Sequence, residues 1–253
     1  MTVSQRIQSE QEFHDRQATS RATTLSKLPD AYQFSDESYL SHESWIRPAF
    51  SQLGDLAGRR VLDYGCGHGM AAIVLARRGG LVSGFDLSAG YVAEARQRAH
   101  ANGVLVDFEQ ADAHCLPYEN ESFDAVFGNA ILHHLDLQLA GRELVRILKP
   151  KGVAVFCEPW RENPLLQLAR RRATYSGKEH TPDELPLGTK DVETLRAFFP
   201  NLQLRGHQLL SMIRRVFTNK ALVRRLEVCD DRLLRWMPGL QRWSRYVVLV
   251  LRR

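Results

Sequence analysis

The sequence predicts an α/β domain built on a mainly parallel sheet with helices on both faces. Three observations carry that expectation. From about residue 59, short apolar runs alternate with segments of helical period, the pattern of consecutive βαβ units. The first of those runs leads straight into a glycine-rich turn, VLDYGCGHG, from Val61 to Gly69. The chain has 253 residues, 44% hydrophobic and 25% charged, enough for one large core without a disulfide or metal staple.

The residues before about 45 read as helices with no sheet partner, an appendage to the domain. RRVLDY then reads as a buried strand, and MAAIVLARR as a helix stopped at Gly79-Gly80. LVSGFD is the second strand. In SAGYVAEARQRAHANG, Ser88 is an N-cap candidate, Val92, Ala95 and Ala99 fall at helical spacing, and Asn102-Gly103 closes the helix. VLVDFEQ, 104 to 110, is a third strand and FDAVFGNA, 123 to 130, a fourth. LQLAGRELVRIL sets Ala140, Leu144 and Ile147 on one face and ends in the breaker KPKG, after which GVAVFCEP is the fifth strand. Residues 160 to 189 are rich in Arg, Pro and charge and read as loop with one short helix. DVETLRAFF is a helix stopped by Pro200, and LQLRGHQLL and RYVVLVLRR are strands separated by a basic helical insert.

The four cysteines (Cys66, Cys115, Cys157, Cys229) form no CxxC pair, and the nine histidines show no ligand spacing. No metal site is expected, and a reducing, cytoplasmic setting is. The N-terminus is polar, and the longest apolar run, near Tyr246 to Leu251, is about a third of a membrane span. Net charge is +5, and its basic part is local: Arg205 to Arg253 holds twelve Lys/Arg against three Asp/Glu. No sequence feature bears on oligomeric state.

In a doubly wound sheet, ligands bind outside the carboxyl ends of the strands. Asp63 to Gly69 falls at such an end, where glycine lets a ligand approach bare backbone. Asp86 closes the second strand, where a carboxylate can accept from both hydroxyls of a ribose. A tight structural turn is the plain alternative, but the acid after strand two favours a ribose-bearing ligand. Gly65, Gly67 and Gly69 make GxGxG, with Met70 where a dinucleotide binder has its third glycine, and no Walker lysine follows.

VLDYGCGHG, GFDLS, ADAHCLPYENESFDAVFGNAILHHL and RILKPKG, spread over about residues 55 to 160, resemble the motif series of class I S-adenosylmethionine-dependent methyltransferases. The branch is that of small-molecule enzymes related to the ubiquinone/menaquinone C-methyltransferases. The resemblance implies a Rossmann-like, doubly wound seven-stranded sheet of order 3-2-1-4-5-7-6, with strand 7 antiparallel. It implies S-adenosylmethionine as cofactor and S-adenosylhomocysteine as product. Asp63 and the backbone of Gly65 and Gly67 would hold the methionine end, with Gly69 keeping the turn tight. Asp86 would take the ribose, Leu87 would pack on adenine, Asp112 would accept from the adenine amino group beside Ala113, and Asn129 would line the floor under the sulfonium.

The expected organisation is one methyltransferase domain over 1–253. Residues 1–45 would form a helical lid, 55–160 the cofactor core, and 160–189 with 212–244 the acceptor side, the latter holding the helical insert between strands 6 and 7. The expected reaction is methyl transfer to a small-molecule or lipid- or carrier-linked acceptor, with oxygen favoured over carbon or nitrogen. Candidate bases are His133 and His134 after strand four and His14 in the N-terminal segment; each also has a structural reading, as a cap or a solvated face. Glu158 either meets a substrate hydroxyl or holds a loop, while Cys66 and His68 fill space in the turn. Trp160, Arg161, Tyr175 and Trp236 are candidate acceptor walls. Leu222, Leu226, Cys229, Leu233 and Trp236 form a helical stripe with Arg224, Arg225, Arg232 and Arg235 on its rim, either packed on the acceptor side or set against an anionic lipid surface. A nucleic-acid partner is disfavoured because the basic segment has no aromatic stacking platform. The rivals are an RNA methyltransferase and a binding protein that keeps the fold without transfer.

Overall fold

The computed structural model describes residues 3–25, 31–172, 185–215 and 219–253. Seven strands make one sheet: β1 (Arg60–Tyr64), β2 (Leu81–Asp86), β3 (Asp107–Gln110), β4 (Phe123–Asn129), β5 (Leu148–Pro159), β6 (Gln203–His207) and β7 (Tyr246–Arg252). Their order is β3-β2-β1-β4-β5-β7-β6. The first five run parallel, and β7 lies antiparallel between β5 and β6. This is the order and polarity the motif series implied.

The helices are α1 (Val3–Leu25), α2 (Asp36–Leu40), α3 (Ile46–Gln52), α4 (Met70–Arg77), α5 (Ala89–Ala101), α6 (Leu137–Ile147), α7 (Pro164–Arg172), α8 (Thr189–Phe198) and α9 (Lys220–Trp236). The period-2 geometry of the strands divides their apolar side chains between two cores. Val61, Phe127 and Val155 pack with Phe50, Ile73 and Leu75 on one face. Leu62, Phe156 and Leu249 pack with Leu144, Ile147 and Leu195 on the other. Ser88 caps α5 by accepting from the Tyr91 N–H, and Asp136 caps α6 through Gln138 and Leu139.

The N-terminal segment divides in two. Residues 36–52 are core rather than appendage: Trp45 stacks on Tyr246 with ring centroids 3.8 Å apart, and Phe50 meets Phe127 at 4.6 Å. Only α1 lies outside the sheet layers, along α5. The third strand is shorter than the apolar run suggested, because the Val104 N–H returns to the Ala99 carbonyl to finish α5 and Leu105 points to solvent. KPKG does not break the chain before β5. Lys151 takes a φ of 66°, and backbone bonds to Arg253 carry it into the sheet.

The insert helix is rotated from its expected stripe. Asp230 and Leu234 are its buried residues, and the Asp230 carboxylate accepts from the N–H groups of Leu209, Leu210 and Ser211 and from the Ser211 hydroxyl. Capping that turn turns the helix so that Cys229 faces out and Trp236 is 89% exposed. No helix among the described residues is long and apolar enough to cross a membrane.

Candidate active site

The turn after β1 is shaped by neighbours on both sides. Gly69 caps α4 at φ 81°, and a Cβ there would sit 2.8 Å from the Ala95 Cβ, so the turn presses directly on α5. Gly67, at φ 50°, has open space where its Cβ would be. That is the cradle a ligand needs: backbone with nothing above it.

Two carboxylates line this cradle. Asp63 is 2% exposed and accepts from the Ala72 N–H at 2.9 Å. Burial, with Asp86 nearby, pushes its carboxyl up to about 7 despite that hydrogen bond. Asp86 accepts from the Gly67 N–H at 2.8 Å and the Ser88 N–H at 3.0 Å. Burial raises it too, against those two bonds. An apolar ligand would leave this charge pattern unanswered, whereas a ligand with an ammonium and vicinal hydroxyls complements it. Burial lowers His68 to about 4 and pushes the Cys66 thiol well up, so neither supplies charge or nucleophile near neutrality.

On the far side of β2, Leu87 is half-buried and its carbonyl accepts from Gln110. Asp112 is steered by a residue that the motif reading passed over. Its Oδ1 meets the His114 ring Nδ1 at 2.7 Å and accepts from the His114 N–H at 2.9 Å. The His114 Nε2 accepts from the Asp136 N–H at 3.0 Å, so Nδ1 carries the ring proton. Buried Ala113 receives the Tyr64 hydroxyl on its carbonyl.

Beyond β4 the chain turns over the glycine loop. Asn129 is exposed at the strand end, Ala130 adopts φ 59°, and a Cβ on Gly65 would lie 2.6 Å from the Ile131 side chain. Glu158, fully buried at the end of β5, organises this corner: Oε1 accepts from the Ile131 and Leu132 N–H groups at 3.0 and 2.9 Å, and Oε2 meets His133 Nδ1 at 2.7 Å. This is the loop-holding reading of Glu158, a clasp that also orients the His133 imidazole. A cleft of about 180 Å³ opens beside it, lined by Leu132, His133, Leu135, Arg161, Leu187 and Asp191.

His134 and His14 are brought together by Glu10, which no motif signalled. The Glu10 Oε2 lies 3.2 Å from His134 Nδ1 and 3.5 Å from His14 Nε2. Burial would lower His14, but its bond to Glu10 and the field of Asp86 outweigh that and raise it. Along the same helix Asp15 accepts from the Ser88 hydroxyl, Gln17 from the Tyr91 hydroxyl, and Arg21 pairs with Glu94 at 2.9 Å. Of the other wall candidates, Arg161 borders the cleft and pairs with Asp191 at 3.1 Å, and Trp160 is buried in the core. Trp236 stands in solvent, and Tyr175 lies outside the described residues.

Known proteins agree with this geometry. A methyltransferase-domain family profile matches residues 62–156. The chain is 38% identical over 114 residues to methyltransferase GfsG of Streptomyces halstedii, covering 44% of this chain and 41% of that one. It is 34% identical over 138 residues to a ubiquinone biosynthesis O-methyltransferase of Roseobacter denitrificans, covering 53% and 52%. The chain thus spans about half the length of these curated relatives. Its fold is shared with an S-adenosylmethionine-dependent methyltransferase from Mesorhizobium loti at TM-score 0.58 and 18% identity, covering 85% and 100%. Residues 62–156 thus carry a methyltransferase domain, and the strand order, the open glycine cradle and its two carboxylates are consistent with a class I S-adenosylmethionine-dependent methyltransferase fold similar to that of the ubiquinone methyltransferases.

Proposed function

We propose that this chain methylates a hydroxyl of a small-molecule acceptor. The observation that carries the reading is the Glu158–His133 pair, 2.7 Å apart and buried at the joined ends of β4 and β5, on the border of a cleft of mixed polar and apolar lining. S-adenosylmethionine supplies a methyl already activated on a sulfonium, so the chain must chiefly align the acceptor, and positioning alone supplies roughly 7–11 kcal/mol. Asp63 and the Gly65–Gly67 backbone hold the methionine end, Asp86 the ribose, Leu87, Asp112 and Ala113 the adenine, and Asn129 the floor. His133, its Nδ1 turned to Glu158, takes the hydroxyl proton on Nε2. That two-residue geometry favours oxygen, and a curated relative at 34% identity is named an O-methyltransferase. Helix α1, seated across Ser88, Tyr91 and Glu94, covers the cofactor and excludes water. Leu132, Leu135 and Leu187 give the acceptor an apolar wall, with Arg161 at the rim.

The test is His133→Gln, assayed with a panel of small hydroxyl compounds. Turnover at neutral pH should fall by about 10²–10⁴ while cofactor affinity holds, and the deficit should shrink at alkaline pH, where the acceptor ionises unaided. An unchanged rate on the accepted substrate at neutral pH would overturn the assignment of the base.

A further inference from the structure

Glu10, His14 and His134 meet across the seam between α1 and the loop after β4, and their donor atoms all lie within 4.8 Å of one another. Two are one helical turn apart on α1, so both face the same way. The third arrives from Leu132–His134, the short 3-10 turn that Glu158 pins. Ligands bonded at about 2.0–2.1 Å in a tetrahedral shell stand roughly 3.3 Å from each other. The Glu10–His134 and Glu10–His14 distances of 3.2 and 3.5 Å bracket that spacing. Glu10 is only 7% exposed, and Asp15 and Asp86 lie on the flanking elements.

We propose that Glu10, His14 and His134 form a binding site for one divalent first-row metal ion, with Zn²⁺ the best fit. Two imidazoles and a carboxylate, with no thiolate, suit zinc and leave a fourth position for water or an acceptor oxygen. An ion there fastens α1 to the loop that carries His133, coupling closure of the helix to assembly of the acceptor side. Sequence spacing hid the set because His134 is far from the Glu10–His14 pair along the chain.

Metal uptake is measurable without cofactor or acceptor, so its failure is separable from failure of the methyl-transfer reading. The full chain is stripped with a chelator and titrated with Co²⁺, whose visible absorption reports tetrahedral coordination, and with Zn²⁺ by calorimetry. One equivalent should bind. His14→Ala and His134→Ala should each weaken it by on the order of 100-fold or more, since outer-shell partners alone are worth 10–100-fold. Glu12→Ala, an exposed acid on the same helix, should change nothing, and circular dichroism should show each variant folded. Failure to bind one equivalent, or equal binding by the folded His14→Ala/His134→Ala double variant, would overturn the proposal. So would ring-proton resonances of His14 and His134 that titrate normally and ignore added Zn²⁺.

Discussion

Asp63→Asn isolates what a buried carboxyl does in the cofactor crevice. The folded chain holds that group near 7 against an ordinary 3.8, because it is almost completely buried and Asp86 is close. At about 1.4 kcal/mol per unit, keeping it ionised costs roughly 4 kcal/mol as an upper bound. A raised folded value means that the folded state retains a proton which the unfolded state releases. Its stabilising contribution is therefore complete below 3.8 and lost as pH rises through about 7. An ammonium group placed beside Asp63 favours the ionised form, so cofactor binding should expel the proton. At pH 6 about nine-tenths of the carboxyl is protonated before binding, and at pH 8 about a tenth. Calorimetry in two buffers of different ionisation enthalpy should show wild type releasing nearly one proton more than Asp63→Asn at pH 6, with the difference almost gone at pH 8. Without cofactor, the thermal stability of the variant relative to wild type should rise progressively from about pH 4 to 7, as wild type loses the contribution of the protonated carboxyl. Equal proton release by the two proteins at pH 6 would refute the placing of the methionine end at Asp63.

Asp86→Asn retains the side-chain shape but loses charge-assisted bonds worth about 1.5–3 kcal/mol each; cofactor affinity by calorimetry should drop roughly tenfold or more with the melting temperature nearly unchanged. Ala18 touches Gly90 so closely that a Cβ on the glycine would stand 2.7 Å from it. Ala18→Arg should pry α1 from α5, and proteolysis within residues 3–25 should then no longer slow when cofactor is added. Protection equal to wild type would show that α1 is not a cover.

What could be read from the residues in order was whatever neighbouring residues decide among themselves. Strand and helix periods are local, so the βαβ series and the sheet order that its motifs imply stood in the chain before any contact was known. The GxGxG turn was legible for the same reason: three glycines and a following acid sit within one strand–turn–helix unit, and the turn needs positive φ at the glycines themselves. Contacts between distant segments were not legible. That Glu158 and His133 meet depends on parallel pairing of β4 with β5, which sets the strand ends side by side. Glu10 has no motif at all, and its meeting with His134 depends on how α1 docks. The α9 stripe was misjudged because periodicity weighs apolar residues, while the helix is turned inward by Asp230 answering three backbone N–H groups and a hydroxyl. The sequence by itself determined the layers and the glycine turn, because those follow from local pattern and backbone conformation, while the strand order was implied by the motif resemblance and borne out by the fold. Only the tertiary structure decided the histidine partners, the docking of α1 and the face of α9, because each rests on a buried polar group whose partner lies elsewhere in the chain.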